Sequence, residues 1–219
     1  MTKNSCTAQP SRRNVLTTAL GMAGLSVLIG TAFVPPPPAN DNNPTCSMPP
    51  HGGKQRPVYF VPALITRKMG ITAAQYGAFR EGVAAIENAR YDEMGGAGKR
   101  FAGRYQFGRR EIRETAEALG LPAPSTAAFL NDPEMQERFF ERYTLGHHNY
   151  LMRHNTRYAQ ANVDQKLEIL ARAHNEGAAG ASSWLETGVV HLDGFGTNPD
   201  VYAKAVRRRL SRLGKNQNG

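Results

Sequence analysis

A chain of 219 residues with 40% hydrophobic and 21% charged side chains has enough apolar material to bury one sizeable core, which excludes an intrinsically disordered chain. Lys and Arg outnumber Asp and Glu by 27 to 18, a balance that favours polyanionic partners without choosing among nucleic acid, anionic lipid and acidic polymers. The two cysteines, Cys6 and Cys46, lie outside the periodic part of the sequence, so no structural disulfide is expected and no cysteine-based metal site is possible.

Residues 1–39 read as a targeting segment, because Lys3, Arg12 and Arg13 precede a run from Val15 to Val34 that carries no charge. Ser11-Arg12-Arg13-Asn14-Val15-Leu16 resembles the twin-arginine export signal of bacteria. The apolar run is also roughly 20 residues long, the length that spans a bilayer, so either removal on export or retention as an inner-membrane anchor is expected. Both outcomes place the remainder outside the cytoplasm, in the periplasm or secreted. A buried core helix fits poorly, since Pro35 to Pro38 follow at once. Residues 40–57, rich in Pro, Asn and Gly, form a semi-extended linker, and the folded unit covers 58–219. Loss of residues 1–39 leaves 24 basic against 18 acidic side chains, so the exported part stays basic.

Tyr76, Phe79, Val83 and Ile86 recur at helical spacing behind Thr72, a natural N-cap, and predict an amphipathic helix over 73–90 with Glu87 near its end. A stretch with Gly95, Gly96, Gly98 and Gly103 follows and gives way to Arg104-Tyr105-Gln106-Phe107, the one candidate for extended structure. Ile112, Ala116 and Leu119 mark a helix stopped by Gly120 and Pro122. Asp132-Pro133-Glu134 places an N-cap and a first-turn proline on a helix that runs into the low 150s. Residues 163–175, with Leu167, Leu170 and His174, form another, and a shorter one holds Trp184 and Leu185. The last helix is capped by Asn198-Pro199 and carries Tyr202, Val206, Leu210 and Leu213. The sum is a mainly α domain with at most one small β-hairpin.

Glu87 closes an apolar helix face before a Gly-rich loop, a placement that sets a carboxyl group at the rim of a cleft. A glycosidase needs one carboxylic acid kept protonated near neutral pH, and a partly apolar site favours that form. On its own such a Glu reads as a solvated helix end. Three local patterns in a fixed order change that reading. Ala85-Ile86-Glu87-Asn88, Gly103-Arg104-Tyr105-Gln106-Phe107-Gly108 and Ala173-His174-Asn175-Glu176-Gly177, the last followed by Trp184-Leu185, together resemble the lysozyme-like superfamily of lytic transglycosylases and phage-type muramidases. The resemblance covers residues 78–212, including Asp193-Gly194-Phe195-Gly196-Thr197 and Tyr202, which look like the end of phage-type members.

The resemblance implies an α+β lysozyme-like fold and cleavage of peptidoglycan strands between N-acetylmuramic acid and N-acetylglucosamine, with Glu87 as general acid and no cofactor or metal. It assigns Tyr105, Gln106, Phe107, His174 and Asn175 to substrate binding. Asn88, His174 and Glu176 depart from the family's Ser, Tyr and small residue. Asp92, five residues beyond Glu87, and its neighbour Glu93 are the candidates for a second carboxylate. Without one, the substrate's own N-acetyl group closes the reaction to an anhydro sugar. Tyr105 and Phe107 either stack on sugar or pack in the core, whereas Trp184 is read as core. A non-catalytic wall-binding module and a chitinase- or chitosanase-like glycosidase are the alternatives from the same shape.

His147, His148 and His154 lack a carboxylate at ligand spacing and read as a solvated helix face rather than a metal site. Arg207-Arg208-Arg209 with Arg212 lies on the polar face of the last helix, where anionic wall polymer or lipid suits an exported chain better than nucleic acid.

Overall fold

The structure is a computed structural model that describes residues 60–216, which belong to one compact unit, Lys54–Gly219. The export-like segment, the linker and both cysteines lie outside the described residues. The fold is mainly α with a small antiparallel sheet, as the periodicity predicts.

The first helices are α1, Ala63–Met69, and α2, Ala73–Glu87. Thr72 caps α2 through a reciprocal capping box: its hydroxyl accepts from the Gln75 N–H at 3.1 Å, and the Gln75 side chain accepts from the Thr72 N–H at 3.0 Å. The helix stops three residues short of the predicted end, because Asn88 adopts the left-handed conformation (φ 48°) and its N–H returns to the Ala84 carbonyl at 2.9 Å. Glu87 is therefore the last helical residue.

Three two-residue strands follow: β1, Met94–Gly95, β2, Phe101–Ala102, and β3, Phe107–Gly108. They pair in sequence order, with Met94 opposite Ala102 and Phe101 opposite Gly108. Of the run predicted as extended, only Phe107 is strand; Arg104, Tyr105 and Gln106 form the turn that enters it, with Gln106 at positive φ.

The remaining helices are α3 (Arg109–Ala118), α4 (Thr126–Leu130), α5 (Pro133–His154), α6 (Thr156–Gln160), α7 (Val163–Thr187) and α8 (Asp200–Asn216). Asp132 caps α5 by accepting from the Met135 N–H at 2.8 Å. The short helices α1, α4 and α6 were not anticipated, being too brief to display a period; α1 is capped from a distance, its Leu64 and Ile65 N–H groups donating to Glu141 of α5. The two helices expected between 163 and 187 form one run broken at Gly177, whose φ of 76° and ψ of 163° are open to glycine alone.

Tyr76, Phe79, Phe140 and Tyr105 build the aromatic centre of the core, the last two stacked at 4.0 Å. Helices α2 and α8 cross at Gly82, where a side chain would meet the backbone of Val206 at 2.9 Å. From that crossing, Glu87 lies five residues along α2 and Tyr202 four residues back along α8, which brings their side chains together. The histidines of α5 do not share a solvated face. His148 is buried on the same side as Thr144 and Leu151 and bonds the Tyr158 hydroxyl at 2.7 Å, His147 packs on Tyr143, and only His154 is exposed.

Candidate active site

The end of α2, the turn before β3, the stretch of α7 that precedes Gly177 and the start of α8 converge on a cleft of about 520 Å³. Glu87 lines it with its side chain 15% exposed. Its Oε1 accepts from the Tyr202 hydroxyl at 2.9 Å and lies 3.1 Å from His174 Nε2. Among the described residues Oε2 has no partner. A carboxyl group so held has one oxygen fixed by the protein and one available to an atom in the cleft. Burial first, and then the charge and hydrogen bond of Glu87, push the Tyr202 phenol well above its ordinary range, so it remains a donor throughout the neutral region.

His174 Nε2 also lies 3.1 Å from the Tyr105 carbonyl oxygen, and the imidazole is enclosed by Phe107, Phe140, Tyr143 and Tyr202. Next along α7, the Asn175 amide donates to Asp193 Oδ2 at 2.9 Å. Asp193 Oδ1 accepts from the Phe195 and Thr197 N–H groups, each at 2.8 Å, and so clamps the loop that closes one side of the cleft. Burial would raise the Asp193 carboxyl, but the Thr197 and Phe195 amides and Asn175 outweigh it and hold it below the usual carboxylate range. Burial raises Glu176 despite its 3.0 Å ion pair with Arg172, itself stacked on Trp184.

Six of the seven residues singled out from sequence line this one cleft: Glu87, Tyr105, Gln106, Phe107, His174 and Asn175. Of the two parts expected for Tyr105 and Phe107, stacking on sugar or packing in the core, the structure shows the core. The Tyr105 ring is fully buried and its hydroxyl donates to Glu137 at 2.7 Å, while Phe107 is 3% exposed, so neither ring offers a face to sugar. What Tyr105 brings to the site is its carbonyl. Gln106 folds back to donate to the Gly103 carbonyl at 2.7 Å. Asp92 does not line the cleft; it pairs with Arg90 at 3.1 Å on the turn after α2. Trp184 packs against the core, as read from sequence.

Phe195, half exposed, edge-on to Phe101 at 5.8 Å and with the Arg100 guanidinium 5.7 Å over its ring, is the aromatic side chain in the cleft lining with the most exposed surface. Sequence reasoning assigned it no role, because a Gly-flanked aromatic has no period to betray which way it points. Behind the site, Glu137 of α5 is fully buried and accepts from Tyr105, Tyr91 and, at 3.1 Å, Arg80. This network holds the turn that carries the Tyr105 carbonyl. The cleft carries four carboxylates, Glu87, Glu111, Glu176 and Asp193, against Arg110 alone, so the positive charge of the chain lies elsewhere. Among the described residues no group of His, Cys, Asp and Glu is arranged to hold a metal ion, and no helix is long and apolar enough to cross a membrane. No family model matches the chain, and no curated protein matches it in sequence.

Proposed function

We propose that the domain cleaves the glycan strands of peptidoglycan between N-acetylmuramic acid and N-acetylglucosamine, with Glu87 as its only catalytic carboxyl group. The observation that carries this reading is the Glu87 side chain on the cleft wall, with Oε1 engaged by Tyr202 and His174 and Oε2 open. The reading takes the reaction to be a lytic transglycosylation. The other carboxylates in the cleft are tied up otherwise: Glu111 bonds Arg110, Glu176 bonds Arg172 through Oε1 with Oε2 buried, and Asp193 bonds Asn175 and two backbone amides. Asp92, with Arg90, stands apart.

In this scheme Glu87 Oε2 gives its proton to the glycosidic oxygen as the bond from C1 breaks, and the 2-acetamido carbonyl oxygen closes on C1. The resulting carboxylate takes the proton of the C6 hydroxyl as O6 attacks C1 and opens that ring. No water enters, and the acid is restored. The export-like segment supports a periplasmic or secreted location, or attachment to the inner membrane. Digestion of purified peptidoglycan sacculi followed by mass spectrometry tests the scheme. Muropeptides lighter by one water than the hydrolytic products are expected, whereas reducing ends would replace the scheme with hydrolysis.

A further inference from the structure

We propose that His174 is a positioning residue whose Nε2–H fixes Glu87 Oε1 and thereby selects Oε2 as the oxygen that gives and takes the proton. The inference rests on the catalytic reading of Glu87. The resembled family has tyrosine at this position, where this chain places an imidazole.

Nε2 lies 3.1 Å from two oxygens at once, Glu87 Oε1 and the Tyr105 carbonyl. A carbonyl oxygen has no hydrogen to give, so a lone pair on Nε2 would face another lone pair there. The contact is a hydrogen bond only if Nε2 carries the proton. Nε2–H then forms a three-centre bond to the carbonyl and to Oε1. The other nitrogen decides the tautomer in the same direction: Nδ1 is buried and has no partner, and a proton there would be an unsatisfied buried donor. The groups facing the ring are Glu87 from α2, Tyr202 from α8, Tyr143 and His147 from α5, and Tyr105 with Phe107 at β3. Asn175 and Glu176 adjoin it on α7, and Glu111 and Arg110 line the same cleft from α3. Burial pushes His147, packed on Tyr143, down to about 3.

The ring is enclosed by Phe107, Phe140, Tyr143 and Tyr202, and the break at Gly177 ends the first segment of α7 three residues beyond it. The Tyr105 carbonyl is held in turn by the buried Glu137 bond to the same residue. The donor is thus set between the Tyr105 carbonyl and Glu87 Oε1 and presents its hydrogen to both. Such a donor steadies the carboxylate formed when Oε2 has lost its proton.

Two measurements on the full-length protein test the assignment. Nitrogen NMR of the histidine-labelled chain, with His174→Gln used to identify the signal, is expected to show a protonated Nε2 and an unprotonated Nδ1 at about neutral pH. A proton on Nδ1 would overturn the proposal whether or not the protein cleaves glycan, so an inactive wild type counts against the catalytic role of Glu87 and not against this assignment. In muropeptide release, His174→Phe is expected to lower kcat roughly 10- to 100-fold with KM little changed. His174→Gln, whose amide N–H reaches the same place, should recover most of that loss. Equal rates for the Phe variant and the wild type, or equal losses for Phe and Gln, would contradict it.

Discussion

The hydroxyl of Tyr202 and the carboxylate of Glu87, 115 residues apart in sequence, meet in a 2.9 Å hydrogen bond at the α2–α8 crossing. Tyr202→Phe keeps the ring that packs against the core and removes only the donor. We expect kcat to fall about tenfold with KM unchanged, by the worth of a hydrogen bond to a charged acceptor. Steady-state release of muropeptides checks this, and an unchanged kcat would show that the bond is merely structural.

Phe195 is the aromatic side chain best exposed to the cleft. Phe195→Ala should raise KM about tenfold and leave kcat alone, since stacking on a sugar ring serves ground state and transition state alike. Phe195→Tyr should bind as the wild type does. Binding of short glycan fragments by calorimetry reads the same quantity without turnover.

Gly177 stands where no other residue is comfortable, although a Cβ there would touch nothing within 4 Å. Gly177→Ala therefore isolates backbone strain from crowding and should cost about 1–3 kcal/mol in urea unfolding. A cost near zero would mean that α7 straightens through the break, and His174 should then lose its contact with Glu87.

Burial raises the phenols of Tyr76, Tyr105, Tyr158 and Tyr202 above the ordinary value of 10.0. In the folded protein each keeps its proton at a pH where the unfolded chain has lost it. The unfolded state then binds fewer protons, and stability falls as pH rises through and beyond about 10. Thermal unfolding between about pH 8 and pH 11 should show a steady loss of Tm, and a flat profile would contradict the burial of these hydroxyls.

What the sequence made legible was whatever repeats or caps. The Thr72 cap on α2, the Asp132 cap on α5 and the apolar period of α7 are local, and each is readable from a few residues, whereas the reciprocal bond from Gln75 is seen only in the structure. The period alone carries α2 to residue 90, but Asn88 turns left-handed and ends it at Glu87, a choice made by one residue that leaves no mark on the period. The site residues are found through three short motifs, but residue type alone leaves Tyr105 open between stacking on sugar and packing in the core; the fold buries its ring and turns its carbonyl to the site. Asp92 was chosen for its nearness in sequence to Glu87, and its neighbour Arg90 engages it outside the cleft. Tyr202 was read as an apolar position of the last helix and as part of a tail motif. Its role depends on where α8 crosses α2, a long-range contact at Gly82 that no local pattern encodes.

The most direct test of Glu87 compares the wild-type protein with Glu87→Gln and Asp92→Asn on purified sacculi, following solubilised muropeptides over time. Glu87→Gln keeps the shape of the side chain and removes its acid, and it should lower release by about a thousandfold or more, whereas Asp92→Asn should match the wild type within about twofold. Equal release by the wild type and Glu87→Gln, or none from the wild type at any pH, would contradict the account.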